Sequence, residues 1–128
     1  MSEQKEKSKT IAIIEDDPVL AKTLEDALKD AGYKTVRADN GKTGLALVLK
    51  EHPDLILLDI VMPQMDGITM LNSLRQDYWG GDVPVIVLSN LSEPAEITEA
   101  LAHSAFDYLV KSSWKLNDVV KKVESKLK

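Results

Sequence analysis

Cysteine is absent from the 128 residues, which removes disulfide frameworks and thiolate metal sites. The two histidines, His52 and His103, lie too far apart for zinc-ligand spacing. No apolar run approaches the roughly 20 residues that a membrane-spanning helix requires. Residues 1–9 are polar and charged, without the apolar segment of a secretory signal. They read as a disordered tail ahead of a single domain spanning 10–128, with a cytoplasmic location and no membrane insertion expected. Positive charge is also in short supply. A formal net charge of −5 argues against direct nucleic-acid binding by this chain, while leaving partners with basic surfaces open.

What is present fits one globular domain: 44% hydrophobic and 29% charged residues over a length that buries one core. The organising stretch is Asp54 to Gly67. Its apolar run, Leu55-Ile56-Leu57-Leu58, ends in Asp59 and passes into a loop carrying Pro63 and Gly67. Consecutive apolar residues suit a strand covered on both faces, as in a parallel sheet between helices. Thr10 to Ile14 is a similar strand, stopped by Glu15-Asp16-Asp17-Pro18. Asp17 suits a helix N-cap and Pro18 the first helical position. Val19, Leu20, Leu24, Ala27, Leu28 and Ala31 then recur at helical spacing, and Gly32 closes the helix.

Tyr33 to Ala38 alternates in polarity and reads as an edge strand. Asn40 caps a second helix with Leu45, Ala46, Val48 and Leu49 as its stripe, its first turns weakened by Gly41 and Gly44. His52-Pro53 ends it. After strand three, Asp66 or Gly67 opens a third helix with Ile68, Met70, Leu71 and Leu74 inward. Val83 to Leu88 forms strand four, Glu93 to about His103 a fourth helix, and Phe106 to Val110 strand five. Leu116, Val119, Val120, Val123 and Leu127 mark a fifth helix. Alternation of this kind predicts an α/β fold. It is a three-layer αβα sandwich in which a five-stranded parallel sheet of flavodoxin-like order 2-1-3-4-5 carries five helices.

In that topology the strand ends deliver Glu15 and Asp16, Asp59, Ser89 and Lys111 to one rim, where such sheets bind ligands. Any one of these alone reads as a cap or a solvated side chain; the set does not. Crowded carboxylates repel by about 4 kcal/mol per pair at 4 Å and an effective dielectric near 20. Lys111 compensates one charge, and a divalent cation compensates two more. An all-oxygen site suits Mg²⁺, or Mn²⁺ in its place. Aspartate is a covalent nucleophile toward phosphorus, with Ser89 and Lys111 placed to contact the transferred group.

The chain resembles a response-regulator receiver domain from Ile11 to Leu127. The resemblance rests on Ile13-Ile14-Glu15-Asp16-Asp17, Leu57 to Gly67, Pro84 to Ser89 and Asp107 to Lys111. It implies a phosphorylation-activated signalling module in which a sensor histidine kinase or a histidine phosphotransfer protein donates a phosphoryl group to Asp59. Asp16 and Asp59 would bind Mg²⁺ directly, Glu15 through water, and Val61 through its backbone carbonyl. Ser89 and Tyr108 would form the switch that remodels the helix 4–strand 5–helix 5 face toward a downstream protein target. Val61 and Leu91 flank the phosphoryl position; being apolar, they orient no attacking water, so slow dephosphorylation is expected.

Two departures stand out. Lys111 is followed by Ser112-Ser113 rather than proline, so a trans Lys111–Ser112 bond or a rearranged loop is expected. The lead-in to helix five is one residue longer, with Ser113 as candidate cap and Trp114 in the turn. The chain stops with helix five, which reads as a stand-alone receiver that promotes its own phosphorylation and dephosphorylation without being a multiple-turnover enzyme. Its alternatives are a phosphorelay intermediate and a pseudo-receiver that never takes phosphate. An aspartyl-phosphate hydrolase wants a second acid where Val61 stands, and a flavodoxin would suffer repulsion between the rim acids and the flavin phosphate.

Overall fold

A computed structural model of the chain describes residues 8–59, 67–89, 107–110 and 115–127. The strands are β1 (Thr10–Ile14), β2 (Lys34–Ala38), β3 (Leu55–Asp59), β4 (Val85–Ser89) and β5 (Asp107–Val110). They form one sheet of order β2-β1-β3-β4-β5, and every neighbouring pair is parallel. This is the predicted order, with β2 at an edge as its alternating pattern requires. Strand four starts two residues later than expected, after Pro84, and includes Ser89.

The helices are α1 (Pro18–Asp30), α2 (Gly41–Glu51), α3 (Gly67–Gln76) and a C-terminal helix (Leu116–Lys126). The expected helix over 93–103 lies outside the described residues. Alternate strand residues feed two separate cores. Ala12, Ile14, Ile56, Leu58, Val85 and Val87 meet Val48 of α2 and Met70, Leu71 and Leu74 of α3. Ile11, Ile13, Leu55, Leu57, Ile86 and Leu88 meet Leu24 and Leu28 of α1 and Val119 and Val123 of the C-terminal helix. With period-2 alternation and both faces covered, the central strands must be apolar throughout. The three-layer sandwich follows.

Local signals hold at most helix ends. Asp17 caps α1, its Oδ1 accepting from the Val19 and Leu20 N–H groups at 3.0 and 3.3 Å. Gly32 takes φ +101° just beyond α1. Asn40 caps α2 by accepting from the Thr43 N–H at 2.9 Å, and His52 ends it in the left-handed region. Expectations at three helices need correction. Val19 is 73% exposed because it faces outward in the first turn of α1, and Ala31 is exposed at its cap. Ala46 is exposed while Gly44 is buried, so α2 turns its glycine, not that alanine, toward the sheet. Ser113 does not cap the last helix. The N-cap is Lys115, whose backbone N–H donates to Asp118 Oδ2 at 2.9 Å. The lysine side chain has no acceptor to reciprocate, so among the described residues the side-chain bond at this cap is the one from Asp118.

Candidate functional site

Parallel register decides which strand ends lie together. Ile14 pairs with both Ala38 and Leu58, so the residues that follow, Glu15 and Asp59, emerge side by side. Asp59 in turn pairs with Leu88, and Ser89 with Val110. The carboxyl rim thus reads Glu15, Asp59, Ser89 and the end of β5 in spatial order. Lys111, which follows Val110, lies outside the described residues, as do Val61, Leu91, Trp114 and the Lys111–Ser112 bond. The backbones of Ser89 and Tyr108 are placed by the register, with Tyr108 opposite Val87.

Glu15, Asp16 and Asp59 offer carboxylate oxygens that all lie within 4.8 Å of one another. Glu15 is 1% and Asp59 3% exposed, whereas Asp16 is open to solvent. The burial is a consequence of topology: Asp59 ends a strand apolar on both faces, and Glu15 is drawn inward by its N–H donating to the Ala38 carbonyl at 3.0 Å. Glu15 Oε2 also accepts from the Asp17 N–H at 3.1 Å. The three consecutive acids therefore divide their tasks. Asp17 serves the helix, Glu15 turns in, and Asp16 faces out beside the rim.

Burying two carboxylates next to a third is unfavourable unless a cation compensates. The oxygen-only donor set fits a hard divalent ion and not a thiophilic one. The residues present thus suit Mg²⁺.

A cleft of about 510 Å³ adjoins Glu15 and Asp16 and is walled by Arg37, Asp39 and Thr43 from the end of β2 and the start of α2. Sequence reading did not single out Arg37 or Asp39. Their place beside the site arises from the β1–β2 register, which no local pattern reports. Arg37 Nη1 is tied to Glu25 Oε1 of α1 at 3.2 Å. Glu25 also accepts from Thr35 Oγ1 at 3.0 Å and faces Lys29 at 3.5 Å. Burial pushes the Glu25 carboxyl up, but the Thr35 hydrogen bond with Lys29 and Arg37 outweighs it and holds the carboxyl below its ordinary value.

At the opposite end of the sheet, Arg75 Nη1 donates to the Gly80 and Val83 carbonyls, each at 2.8 Å. His52 stacks on Trp79 with ring centroids 4.2 Å apart. These contacts hold the turn between α3 and β4 and are remote from the carboxylates.

Comparison with known proteins agrees with this geometry. Residues 11–124 match the family described as the response regulator receiver domain. The chain belongs to that family, whose members are phosphoacceptor signalling modules of two-component systems that bind Mg²⁺ at an acidic site. It is 37% identical over 111 residues to a probable transcriptional regulator, ycf27, of Porphyra purpurea, covering 87% of this chain and 43% of that protein. A putative response regulator from Chloroflexus aurantiacus superposes with a TM-score of 0.87 at 29% identity, over 94% of this chain and 98% of that one. The signal receiver domain of a histidine kinase from Syntrophus aciditrophicus gives 0.85 at 32%, covering 94% and 90%. The chain spans less than half the length of the curated relatives it matches. Among the described residues no helix is long and apolar enough to cross a membrane.

Proposed function

We propose that Asp59 is the phosphoacceptor of this receiver and that Glu15, Asp16 and Asp59 hold the divalent cation that the transfer requires. The observation that carries this reading is the convergence of three carboxylates within 4.8 Å, two of them buried, at the carboxyl rim. An Asp59 oxygen attacks phosphorus, the P–N bond of the donor phosphohistidine breaks, and the imidazole leaves with the electron pair. A bound Mg²⁺ supplies neutralisation of the phosphoryl oxygens. Asp16 and Asp59 take the direct ligand positions, and the inward Glu15 acts through water. Val61 contributes its carbonyl. Ser89 and Lys111 contact the transferred group, and Ser89 with Tyr108 couples it to the helix 4–strand 5–helix 5 face, which meets a downstream protein.

Incubation with acetyl phosphate and Mg²⁺, followed by intact mass, tests this. A single phosphoryl addition that disappears in Asp59→Ala supports it; no addition to the parent favours a pseudo-receiver. The likeness to a receiver carried by a histidine kinase favours, as a second reading, a relay step from Asp59 to a histidine phosphotransfer protein. Loss of label from the chain to such a protein distinguishes it. The names of the curated relatives support transcription as the eventual output of a longer protein, with this segment as its switch.

A further inference from the structure

Gly44 is buried in α2, and a Cβ built on it would lie 2.7 Å from Ile14 Cγ2, 3.1 Å from Cδ1 and 3.4 Å from Cγ1. Ile14 is fully buried, so its side chain has no solvent into which to retreat. Cγ2 is attached directly to Cβ, so it moves only with rotation of χ1 or displacement of the strand. The next residue is Glu15, and the neighbour of Ile14 on β3 is Leu58, which precedes Asp59. Any displacement of Ile14 is thus passed to the end of β1 against the end of β3, between which the carboxylates converge.

We propose that Gly44 is a positioning residue: by carrying no side chain it seats α2 on Ile14 and so keeps Glu15 and Asp16 in reach of Asp59. The inference rests on the metal-site reading above for its functional meaning. Its geometric content, that Gly44 sets the relative placement of the three carboxylates, stands without a metal. Interactions behind the ligands commonly tune metal affinity by about 10–100-fold. A shift of the β1 end of even a few tenths of an ångström falls in that class.

The test compares four chains: the parent, Gly44→Ala, Ile14→Ala/Gly44→Ala, and Leu49→Ala. The double variant removes the three Ile14 atoms nearest the new methyl. Leu49 packs against the same core from the same helix, so Leu49→Ala controls for lost stability. Backbone amide resonances of Glu15, Asp16 and Asp59 are recorded without metal, and Mg²⁺ is then titrated. Gly44→Ala is expected to move those amides and to weaken Mg²⁺ binding by about tenfold or more. The double variant is expected to return both toward the parent, and Leu49→Ala to leave both in place. Unmoved amides with parental affinity in Gly44→Ala overturn the proposal. So does an equal effect in Leu49→Ala, or a loss that persists in the double variant. If Gly44→Ala does not yield folded protein, Ile14→Val/Gly44→Ala replaces it in the same comparison. A parent that fails to bind Mg²⁺ sinks the metal reading instead, and the metal-free amides then judge the placement alone.

Discussion

Individual carboxylates carry opposite obligations to stability and to ligand binding. Asp59 is nearly inaccessible beside Glu15, and two like charges this close repel each other. Asp59→Asn is therefore expected to raise the metal-free stability by about 1–2 kcal/mol, as relief at strained functional sites commonly does. The same change is expected to weaken Mg²⁺ binding; urea denaturation with and without Mg²⁺ measures both, and an unchanged or lower metal-free stability speaks against the repulsion. Val61 belongs to the same scale. On the proposed reading Val61 flanks the phosphoryl group, where an apolar side chain offers no hydrogen bond to an attacking water, so Val61→Asn is expected to shorten the lifetime of phosphorylated Asp59. An equal lifetime in the two chains removes the explanation. Glu15 and Asp59 were readable in the sequence because each stops an apolar run, and Asp16 because it follows Glu15 directly. Gly44 was not: a glycine in a helix reads as a weak point, and only the tertiary approach to Ile14 shows what its missing side chain permits.

Helices and strands are joined here by a few side chains whose effects are separable. Glu25 of α1 gathers Thr35 and Arg37 of β2 and Lys29 of its own helix. Its carboxyl is held below the ordinary value of 4.5, so the contribution is present above that pH and is lost as pH falls through the lower folded-state value. Thermal melts of Glu25→Gln and the parent should differ at neutral pH and converge in acid below the ordinary carboxylate range. A gap that widens in acid reverses the assigned sign. On the other side of the sheet, Arg75 serves two carbonyls of the α3–β4 turn. Arg75→Ala is expected to cost about 2–3 kcal/mol, the scale of hydrogen bonds made by a charged donor, while leaving Mg²⁺ affinity unchanged. Element order and edge position followed from periodicity alone. The start of the last helix did not, because Ser113 is a good cap in general, whereas Asp118 reaching back to the Lys115 N–H is a contact that only the folded turn reveals.

For the whole molecule, the cation and the fold are linked. Because the carboxylates converge only when β1 and β3 are paired, a Mg²⁺ ion held by them would bind the folded chain alone and is expected to shift the unfolding equilibrium by mass action, by about 2.7 kcal/mol at a hundredfold excess over Kd. Addition of a chelator should reverse the gain, and Asp16→Ala should abolish it. The acceptor assignment itself is tested most directly by trapping the product. The chain is phosphorylated with acetyl phosphate and Mg²⁺, reduced with borohydride to convert an acyl phosphate to the alcohol, digested, and sequenced by mass spectrometry. Homoserine at position 59 is the predicted result. Homoserine at Asp16 or another aspartate, with position 59 unmodified, would contradict the account.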